Sequence, residues 1–234
     1  MTLVAAIDRI PNTELRALPG DTQYYTDFAE GIRESRPDVM VDFTNSAASM
    51  EMAPVALQAG VRLVIGSTGF HPSQFDQLSS LCETHGSAAI VAPNFTIGAI
   101  LLAHLAAIAS RFFEYVDIVE EHHEMKIDSP SGTSLAIAKA IEETGGGKFK
   151  VNIPEQETLA GTRGGNQNGI TIHSSRMPGR LAHHQVTFGG PGQTLMLRHD
   201  TLNRECYMPG VLTAIRQVVQ YKGLVVGLEK LLDL

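Results

Sequence analysis

The sequence predicts an α/β protein with two parts, a parallel sheet with crossover helices followed by a second sheet of different construction. In the first half of the chain, short apolar and β-branched runs alternate with helical stretches, which is the pattern of parallel strands joined by helices. From Ile170 onward, strand-like runs follow one another with no helix between them, which indicates an antiparallel sheet. We place the boundary between the two parts near Thr96.

The elements of the first half alternate in type. Strands are predicted for the short apolar or β-branched runs, Leu3–Asp8, Val39–Phe43, Val61–Ile65 and Ala88–Val91. Helices are predicted for the longer stretches of good helix formers between them, 27–34, 47–59 and 72–83. Sheets of this kind bind ligands at the loops that follow the carboxyl ends of the strands. We therefore expect a ligand site at those loops.

The second half begins with a helix predicted over Ile97–Phe112 and a strand predicted over Tyr115–Glu121. Start signals at Ser129-Pro130-Ser131 lead into a helix predicted to end at Gly145-Gly146-Gly147. Three strand-like runs come next, Ile170–Ser175, Leu181–Phe188 and Thr194–Arg198. The segment Asn152–Asn168 has few apolar residues and is interpreted as a surface loop, either mobile or in contact with another subunit. From Met208 onward the pattern is helical again.

Composition disfavours several classes of function. The net charge of -7 and the pI near 5.7 argue against nucleic acid as the main partner. Cys82 and Cys206 are far apart in sequence, which suggests a reducing compartment rather than a disulfide framework. No apolar run approaches the roughly 20 residues that a membrane-spanning helix needs, and the first residues do not form a signal peptide. We expect a soluble, cytoplasmic protein.

The segment from Glu120 to Thr133 carries the strongest functional signal. It places His122, His123 and Lys126 just past a strand end and continues into a Ser-Gly-Thr helix start, whose free N–H groups favour an anion such as a carboxylate. Adjacent histidines on a strand point to opposite faces, so one of them can be solvated or structural. The helical His-Glu-x-x-His spacing of a zinc site is absent. The segment therefore predicts proton transfer with anion binding and no metal.

Three loops of the first half have features that suit a dinucleotide. Asp8 ends the first strand, where an acid can hold an adenosine ribose, and Arg9 could add affinity for a 2′-phosphate. Gly66-Ser67-Thr68-Gly69-Phe70 and Ala92-Pro93-Asn94-Phe95 follow two further strands. A solvated turn residue or a simple tight turn explains each loop equally well. Three such loops in register nevertheless favour a nucleotide.

Taken together, these motifs resemble one enzyme family. The residues that carry the resemblance are Glu121-His122-His123-x-x-Lys126-x-Asp128-x-Pro130-Ser131-Gly132-Thr133, Val41-Asp42-Phe43-Thr44, Gly66-Ser67-Thr68-Gly69-Phe70, Pro93-Asn94-Phe95-Thr96-Ile97-Gly98 and Arg198-His199-Asp200. They resemble the 4-hydroxy-tetrahydrodipicolinate reductase (dihydrodipicolinate reductase) family, and the similarity runs from about Leu3 to the C-terminus. Ser67 and Ser129 are mild departures from the usual Gly-Thr-Thr and Asp-Ala-Pro.

The resemblance implies a fold, an assembly and a reaction. The fold is a Rossmann-like dinucleotide-binding domain over 1–96 and 207–234, with an α+β mixed-sheet domain for substrate binding and oligomerisation over 97–206. The assembly is a homotetramer. The reaction is hydride transfer from NADH or NADPH to a cyclic unsaturated dicarboxylate, 4-hydroxy-tetrahydrodipicolinate, with loss of water, on the diaminopimelate route to lysine. Asp8 favours NADH and Arg9 favours NADPH, so the sequence does not select one.

The resemblance also implies roles for individual residues. His122 matches the catalytic histidine and Lys126 the proton-donating lysine, while His123 matches a substrate contact. Gly132 and Thr133 match the loop that grips a substrate carboxylate. The residues expected at the cofactor are Asp8, Arg9, Gly66, Ser67, Thr68, Ala92, Pro93, Asn94 and Phe95.

The chain departs from the family before Asp8. The glycine-rich turn of such domains follows a first strand and precedes the ribose-binding acid by roughly 20 residues, and neither fits in front of Asp8. A first strand is therefore expected to be missing, which would leave unpaired strand edges and an exposed apolar seam. Three explanations are open: a start at an internal methionine, which we favour; a shortened protein with a weakened cofactor grip; or a re-paired fold that is a pseudoenzyme or dicarboxylate-binding oligomer.

Other polar residues remain candidates of lower rank. Four histidines lie on or beside the predicted strands of the second sheet and are interpreted mainly as sheet or interface residues: His173, His183, His184 and His199. Of the four, His183 is the one most expected to approach substrate. Arg176 and Arg198 could neutralise a carboxylate, although ion pairing at an oligomer interface is the favoured interpretation. Glu120 and Glu121 either orient the imidazoles or face solvent.

Overall fold

A computed structural model describes residues 1–10, 18–146 and 149–234 of the chain. The predicted helix end at Gly147 lies outside the described residues. The chain divides into two compact units. Unit 1 comprises Met1–Phe95 and Pro209–Leu234, and unit 2 comprises Thr96–Met208.

Unit 1 contains parallel strands in two sheets. Strands β1 (Ala5–Ile7) and β2 (Gln23–Tyr25) form a two-stranded parallel sheet. The larger sheet is also parallel and has the order β11-β5-β4-β3, with these strands: β3 (Val39–Asp42), β4 (Arg62–Ile65), β5 (Ala88–Val91) and β11 (Gly223–Val226). The last strand of the chain therefore completes a sheet that the first half begins.

The helices of unit 1 follow the predicted crossovers. They are α1 (Phe28–Ser35), α2 (Ser46–Gln58), α3 (Pro72–Thr84) and α6 (Met208–Val218), the last beginning at the final residue of unit 2. Asp27 and Asn45 cap the first two helices, since their side-chain oxygens accept the N–H groups of Glu30 at 2.7 Å and Ala48 at 3.0 Å. Leu57, Leu63 and Leu78 are among the buried residues of the core beneath these elements.

Strand β3 is an edge of the larger sheet of unit 1. It pairs with β4 on one side, and among the described residues no strand pairs with its other side. Val41 is 40% exposed and Phe43, just past the strand, is 52% exposed. Strand β3 thus has an unpaired edge with apolar side chains exposed beside it.

Unit 2 is built on a five-stranded mixed sheet of order β10-β9-β6-β8-β7. Its elements are α4 (Ile97–Ala109) with a 3-10 turn at Ser110–Phe112, β6 (Tyr115–His122), α5 (Gly132–Gly145), β7 (Gly165–Gln167), β8 (Ile170–Arg176), β9 (Ala182–Gly190) and β10 (Gln193–Thr201). The two helices pack against one face of the sheet, where Leu102 and Ile137 join Ile118, Val186 and Phe188 in one buried cluster.

The second sheet is mixed, as the family resemblance implies, although the successive strand runs from Ile170 onward indicated antiparallel pairing. Strand β6 lies between β8 and β9, and it runs parallel to β8 and antiparallel to β9. The reason is that α5 separates β6 from β8 in sequence and acts as a crossover connection, which parallel pairing requires. The predicted loop Asn152–Asn168 contains the short strand β7, and the strands β2 and β11 were not predicted.

Membrane insertion by a helix has no support in the described part of the chain. Within those residues, every helix is too short or too polar to span a bilayer.

Candidate active site

Strand β6 places Glu120 and His122 on the buried face of the second sheet. Side chains on a strand alternate between faces, so both residues share the face that also buries Val116 and Ile118. Glu120 is 0% exposed and His122 is 6% exposed. Because a buried charge is costly unless it is paired, partners are expected for Glu120.

Both carboxylate oxygens of Glu120 have partners. One oxygen pairs with Nδ1 of His122, and the other accepts a hydrogen bond of 2.9 Å from Nη2 of Arg176, on β8. Burial raises the pKa of the Glu120 carboxyl, but hydrogen bonds from His122, Arg176 and Ser174 outweigh burial and lower the pKa to about 2. Glu120 is therefore an anion at neutral pH.

A tight turn after β6 carries Lys126. The backbone N–H of Lys126 donates to the carbonyl oxygen of His123 at 3.1 Å, and its ammonium pairs with Asp128 at 2.6 Å. The Lys126 ammonium lowers the pKa of the Asp128 carboxyl through this hydrogen bond. Arg176 also contacts the turn, because its Nη2 donates to the carbonyl oxygen of Asp128 at 2.5 Å. The structure thus links Lys126 and His122 through Asp128, Arg176 and Glu120.

The N-terminus of α5 follows the same turn. Ser131 is the N-cap, and its Oγ accepts the N–H of Ser134 at 3.1 Å. Gly132 and Thr133 are the first residues of the helix, where backbone N–H groups have no helical acceptor and can bind an anion. Oγ of Ser131 also lies 3.1 Å from Nε2 of His184, on β9. The helix start predicted from the sequence is therefore present, and its binding of a carboxylate remains a prediction.

His184 joins the helix start to His122. Its ring meets the ring of His122 edge to face, with centroids 5.3 Å apart. Burial, followed by repulsion from His122, lowers the pKa of His184 from 6.5 to about 4. The imidazole is therefore neutral at pH 7.

The lowered pKa of His184 predicts a loss of stability in mild acid. Below pH 6.5 the unfolded chain protonates this residue while the folded chain resists protonation until about pH 4, so stability falls as the pH falls through that window. The loss should amount to roughly 3 kcal/mol or less. Urea unfolding at several pH values should show it, and His184→Gln should flatten the dependence between pH 6.5 and 4. An equally steep dependence in the variant would contradict this assignment.

Glu120, His122 and His184 form a buried cluster of potential metal ligands. Their donor atoms lie within 4.8 Å of one another, which is close enough for a shared ion. However, both Glu120 oxygens are already engaged by His122 and Arg176, and the guanidinium would repel a cation bound to the same carboxylate. The cluster therefore fits an internal hydrogen-bonded network better than a metal site.

A cavity of about 580 Å³ lies beside the start of α5. Ser129, Pro130 and Leu135 line one side of it and residues of β7 and β8 line the other. His122, Lys126 and Thr133 are not among its lining residues, so we do not identify this cavity with the site around His122.

In unit 1, a buried carboxylate organises the loops after β3 and β4. Asp42, which is 3% exposed, accepts hydrogen bonds from the N–H of Thr44 at 2.8 Å and from its hydroxyl at 2.7 Å. The hydroxyl of Ser49, on α2, also donates to Asp42 and lies 3.1 Å from the hydroxyl of Ser67. Asp42 therefore anchors Ser67 through Ser49.

Aromatic packing connects the same loops to the end of β5. The rings of Phe43 and Phe95 have centroids 5.6 Å apart. Gly66 lies against the Phe43 ring so closely that an added Cβ would overlap the ring, and the ring would have to move to make room. The N–H of Ala92 donates to the carbonyl oxygen of Ile65 at 2.9 Å. The strand-end loops after β3, β4 and β5 thus lie together.

The remaining predicted cofactor residues lie at the ends of β1, β4 and β5. Asp8 is exposed at the end of β1 and accepts the N–H of Ile10 at 3.2 Å. Arg9 forms an ion pair of 2.6 Å with Glu51, on α2. Thr68 and Pro93 are exposed, and Asn94 is half-buried.

Four contributing residues were not among the site residues predicted from the sequence. Asp42 had no role of its own, and the roles of Glu120, Arg176 and His184 were left open between the site, solvent and an oligomer interface. A signal for Glu120 was present, because Val116, Ile118, Glu120 and His122 repeat with period 2 and so share the face of the core. No comparable signal existed for Arg176, whose position beside Glu120 depends on the parallel pairing of β6 and β8. The structure makes Arg176 an internal partner of Glu120 within one chain.

Comparison with known proteins gives matches along nearly the whole chain. Residues 1–95 match the family described as "Dihydrodipicolinate reductase, N-terminus", and residues 98–232 match "Dihydrodipicolinate reductase, C-terminus". A 4-hydroxy-tetrahydrodipicolinate reductase of Dehalococcoides mccartyi is 46% identical, over 99% of this chain and 88% of that protein. The enzyme of the same name from Bacillus subtilis is 42% identical over the same shares.

A solved structure matches as well. It is a dipicolinate-bound dihydrodipicolinate reductase from a Paenisporosarcina species, with a TM-score of 0.87 and 40% sequence identity. The match covers 97% of this chain and 88% of that one.

Proposed function

Because this chain belongs to the dihydrodipicolinate reductase family, we propose that it reduces 4-hydroxy-tetrahydrodipicolinate to tetrahydrodipicolinate with NADH or NADPH, in the synthesis of diaminopimelate and lysine. The observation that carries the proposal is the network of unit 2 in which Glu120 holds His122, Asp128 holds Lys126, and the start of α5 presents Gly132 and Thr133. A dipicolinate-bound relative supports a cyclic dicarboxylate as the ligand.

The residues of unit 2 suit a dianionic substrate. One carboxylate is bound by the N–H groups at Gly132 and Thr133, and His123 makes a further polar contact. Lys126 has a side chain that is only 21% exposed, and it donates the proton that the substrate nitrogen requires when a hydride reaches the neighbouring carbon. His122 presents Nε2 to the substrate, because its Nδ1 is held by Glu120.

The residues of unit 1 suit a dinucleotide. NADH or NADPH, when bound, supplies the hydride. Gly66 lies at the end of β4 with the Phe43 ring packed against it, and the neighbouring Ser67 hydroxyl is held in place through Ser49. Asp8 accepts from the adenosine ribose, and the loop Ala92–Phe95 completes the set of strand-end loops.

The test of this function is an assay of the complete chain with freshly generated substrate. We expect NADH oxidation that depends on the cyclic substrate and is inhibited by pyridine-2,6-dicarboxylate. A chain that binds pyridine-2,6-dicarboxylate in calorimetry but gives no heat with NADH or NADPH, and no turnover, would instead be a dicarboxylate-binding pseudoenzyme.

We further propose that the chain prefers NADH to NADPH, because Arg9 is already paired with the carboxylate of Glu51. The two side chains pair at 2.6 Å, so a 2′-phosphate near Arg9 would meet a carboxylate beside the cation it needs. We expect Glu51→Gln to tighten NADPH binding about five- to tenfold relative to NADH, since one exposed charge interaction at this distance is worth about 1 kcal/mol.

Glu83→Gln is the matched control for Glu51, because Glu83 is an exposed acid on a different helix, α3. Titration of each variant with both nucleotides gives the ratio of dissociation constants. The same ratio in both variants would show that Glu51 does not select the cofactor.

The assembly and location of the chain are proposals as well. We propose a homotetramer formed through the second sheet, because α4 and α5 cover only one of its faces. On the other face Val119 remains 38% exposed and Asp117 is half-buried. A cytoplasmic location fits a biosynthetic enzyme with two unpaired cysteines.

A further inference from the structure

The guanidinium of Arg176 contacts both Glu120, which pairs with His122, and the backbone of Asp128, whose side chain pairs with Lys126. We propose that Arg176 and Glu120 are positioning residues, in which Arg176 holds the carboxylate that orients His122 and also holds the backbone of the turn that presents Lys126. This proposal rests on the proposed function of His122 and Lys126. In this role Arg176 and Glu120 act by orienting other residues, and they do not contact substrate.

Glu120 determines which nitrogen of His122 can face substrate. Its carboxylate cannot donate while ionised, so Nδ1 of His122 must carry the proton that the hydrogen bond uses. Nε2 is then the remaining nitrogen of the ring. Complete burial of Glu120 and a second bond to Arg176 leave the carboxylate no alternative position, so the imidazole is held in one orientation.

Arg176 reaches its partners because of where β8 ends. It is the last residue of β8 and is paired in register with His122, the last residue of β6. Its Nη2 lies 2.9 Å from Glu120 and 2.5 Å from the carbonyl oxygen of Asp128, and its Nη1 donates to the carbonyl oxygen of Ser175 at 2.7 Å. A lysine has a single ammonium and lacks the planar fork that makes these contacts together.

The alternative role for Arg176 is to bind a substrate carboxylate. The structure disfavours that role, because Nη1 and Nη2 already donate to protein oxygens and the charge is balanced by Glu120. The side chain of Arg176 is 19% exposed. The two roles predict different kinetics, since a positioning residue affects kcat and a carboxylate ligand affects substrate binding.

The test compares Arg176→Lys and Glu120→Gln with Arg180→Lys in the complete chain. Arg180 is a suitable control because it also pairs with an acid of β6, Glu121, at 3.5 Å, but contacts neither His122 nor Lys126 in the described structure. We expect kcat to fall about 10- to 100-fold in the first two variants, as with other residues that orient a functional histidine. We expect the dissociation constant for pyridine-2,6-dicarboxylate to change less than about threefold.

Two kinetic results would overturn the proposal. One is a folded Arg176→Lys protein with the kcat of the wild type. The other is a dissociation constant for pyridine-2,6-dicarboxylate raised tenfold or more with kcat unchanged, which would make Arg176 a substrate ligand.

A spectroscopic measurement on the wild-type protein tests the role of Glu120 even if the variants do not fold or the wild-type chain has no reductase activity. Imidazole ¹⁵N resonances of the wild-type protein at neutral pH should show His122 carrying a proton on Nδ1, and a neutral ring protonated only on Nε2 would overturn the role of Glu120. If the wild-type chain lacks reductase activity but shows the expected Nδ1 proton, the proposed function fails while the positioning of His122 stands.

Discussion

Lys126→Ala and His122→Ala are each expected to lower kcat for substrate-dependent NADH oxidation by about 10²- to 10⁴-fold, the usual contribution of a positioned proton donor or acceptor. Lys126 is expected to show the larger loss, because its ammonium is the proposed proton source for the substrate nitrogen. Affinity for NADH should remain, since the residues proposed to bind the cofactor belong to unit 1. Steady-state kinetics and nucleotide titration measure the two effects separately.

Matched controls for these variants are available in the same unit. Lys139→Ala removes an exposed lysine of α5 that pairs with Glu143 at 3.7 Å, and His173→Ala removes a histidine of β8. Both controls should retain activity within about twofold. A Lys126→Ala protein with the activity of the Lys139→Ala control would refute the proposed role of Lys126, and the same comparison applies to His122 and His173.

Asp42→Ala is expected to have the second large effect, on both stability and cofactor affinity. The change removes the acceptor of the Thr44 N–H, which solvent can replace at this exposed residue, and one acceptor of the Ser49 hydroxyl, which keeps the carbonyl oxygen of Asn45 at 2.9 Å. Because the lost hydrogen bonds are to a charged group, we expect the free energy of unfolding to fall by about 1–3 kcal/mol. Because Ser67 loses its anchored neighbour, the dissociation constant for NADH should rise about tenfold or more.

Urea unfolding and calorimetry with NADH measure the two consequences of Asp42→Ala. Asp76→Ala, an exposed acid on α3, is the control and should change neither quantity appreciably. Asp42→Asn keeps the size of the side chain but places an amide N–H₂ where donors converge, so an intermediate loss is expected. Wild-type NADH affinity in Asp42→Ala would show that the Ser67 loop does not bind the cofactor.

The long elements of the fold could be predicted from the sequence because their patterns are local. The strands at Val39–Asp42 and Ala88–Val91 begin at the predicted residues, and β5 also ends there. These strands were recognised as apolar runs, whereas β2, Gln23–Tyr25, is partly polar and β11, Gly223–Val226, follows a stretch with a helical pattern, so neither was predicted. The mixed pairing of the second sheet depends on the order of its strands. Local residue patterns carry little information about that order.

The candidate site was predictable to a similar extent. The residues proposed to meet substrate, His122 and Lys126, lie in one compact motif with a helix start behind it. Their supports come from distant parts of the chain: Arg176 belongs to β8 and His184 to β9. Such contacts follow from tertiary pairing, so the sequence left open whether Glu120 faced solvent and favoured an intersubunit role for Arg176.

The position of β11 has a consequence for biosynthesis of the chain. In the finished protein β11 pairs with β5, whose four residues are all buried, but β11 comes last from the ribosome, after the whole of unit 2. The amino-terminal sheet therefore begins first and is completed last. Until Val226 emerges, β5 exposes an apolar strand edge of the kind that promotes aggregation during folding. Nascent chains should accordingly depend on chaperones most during translation of unit 2.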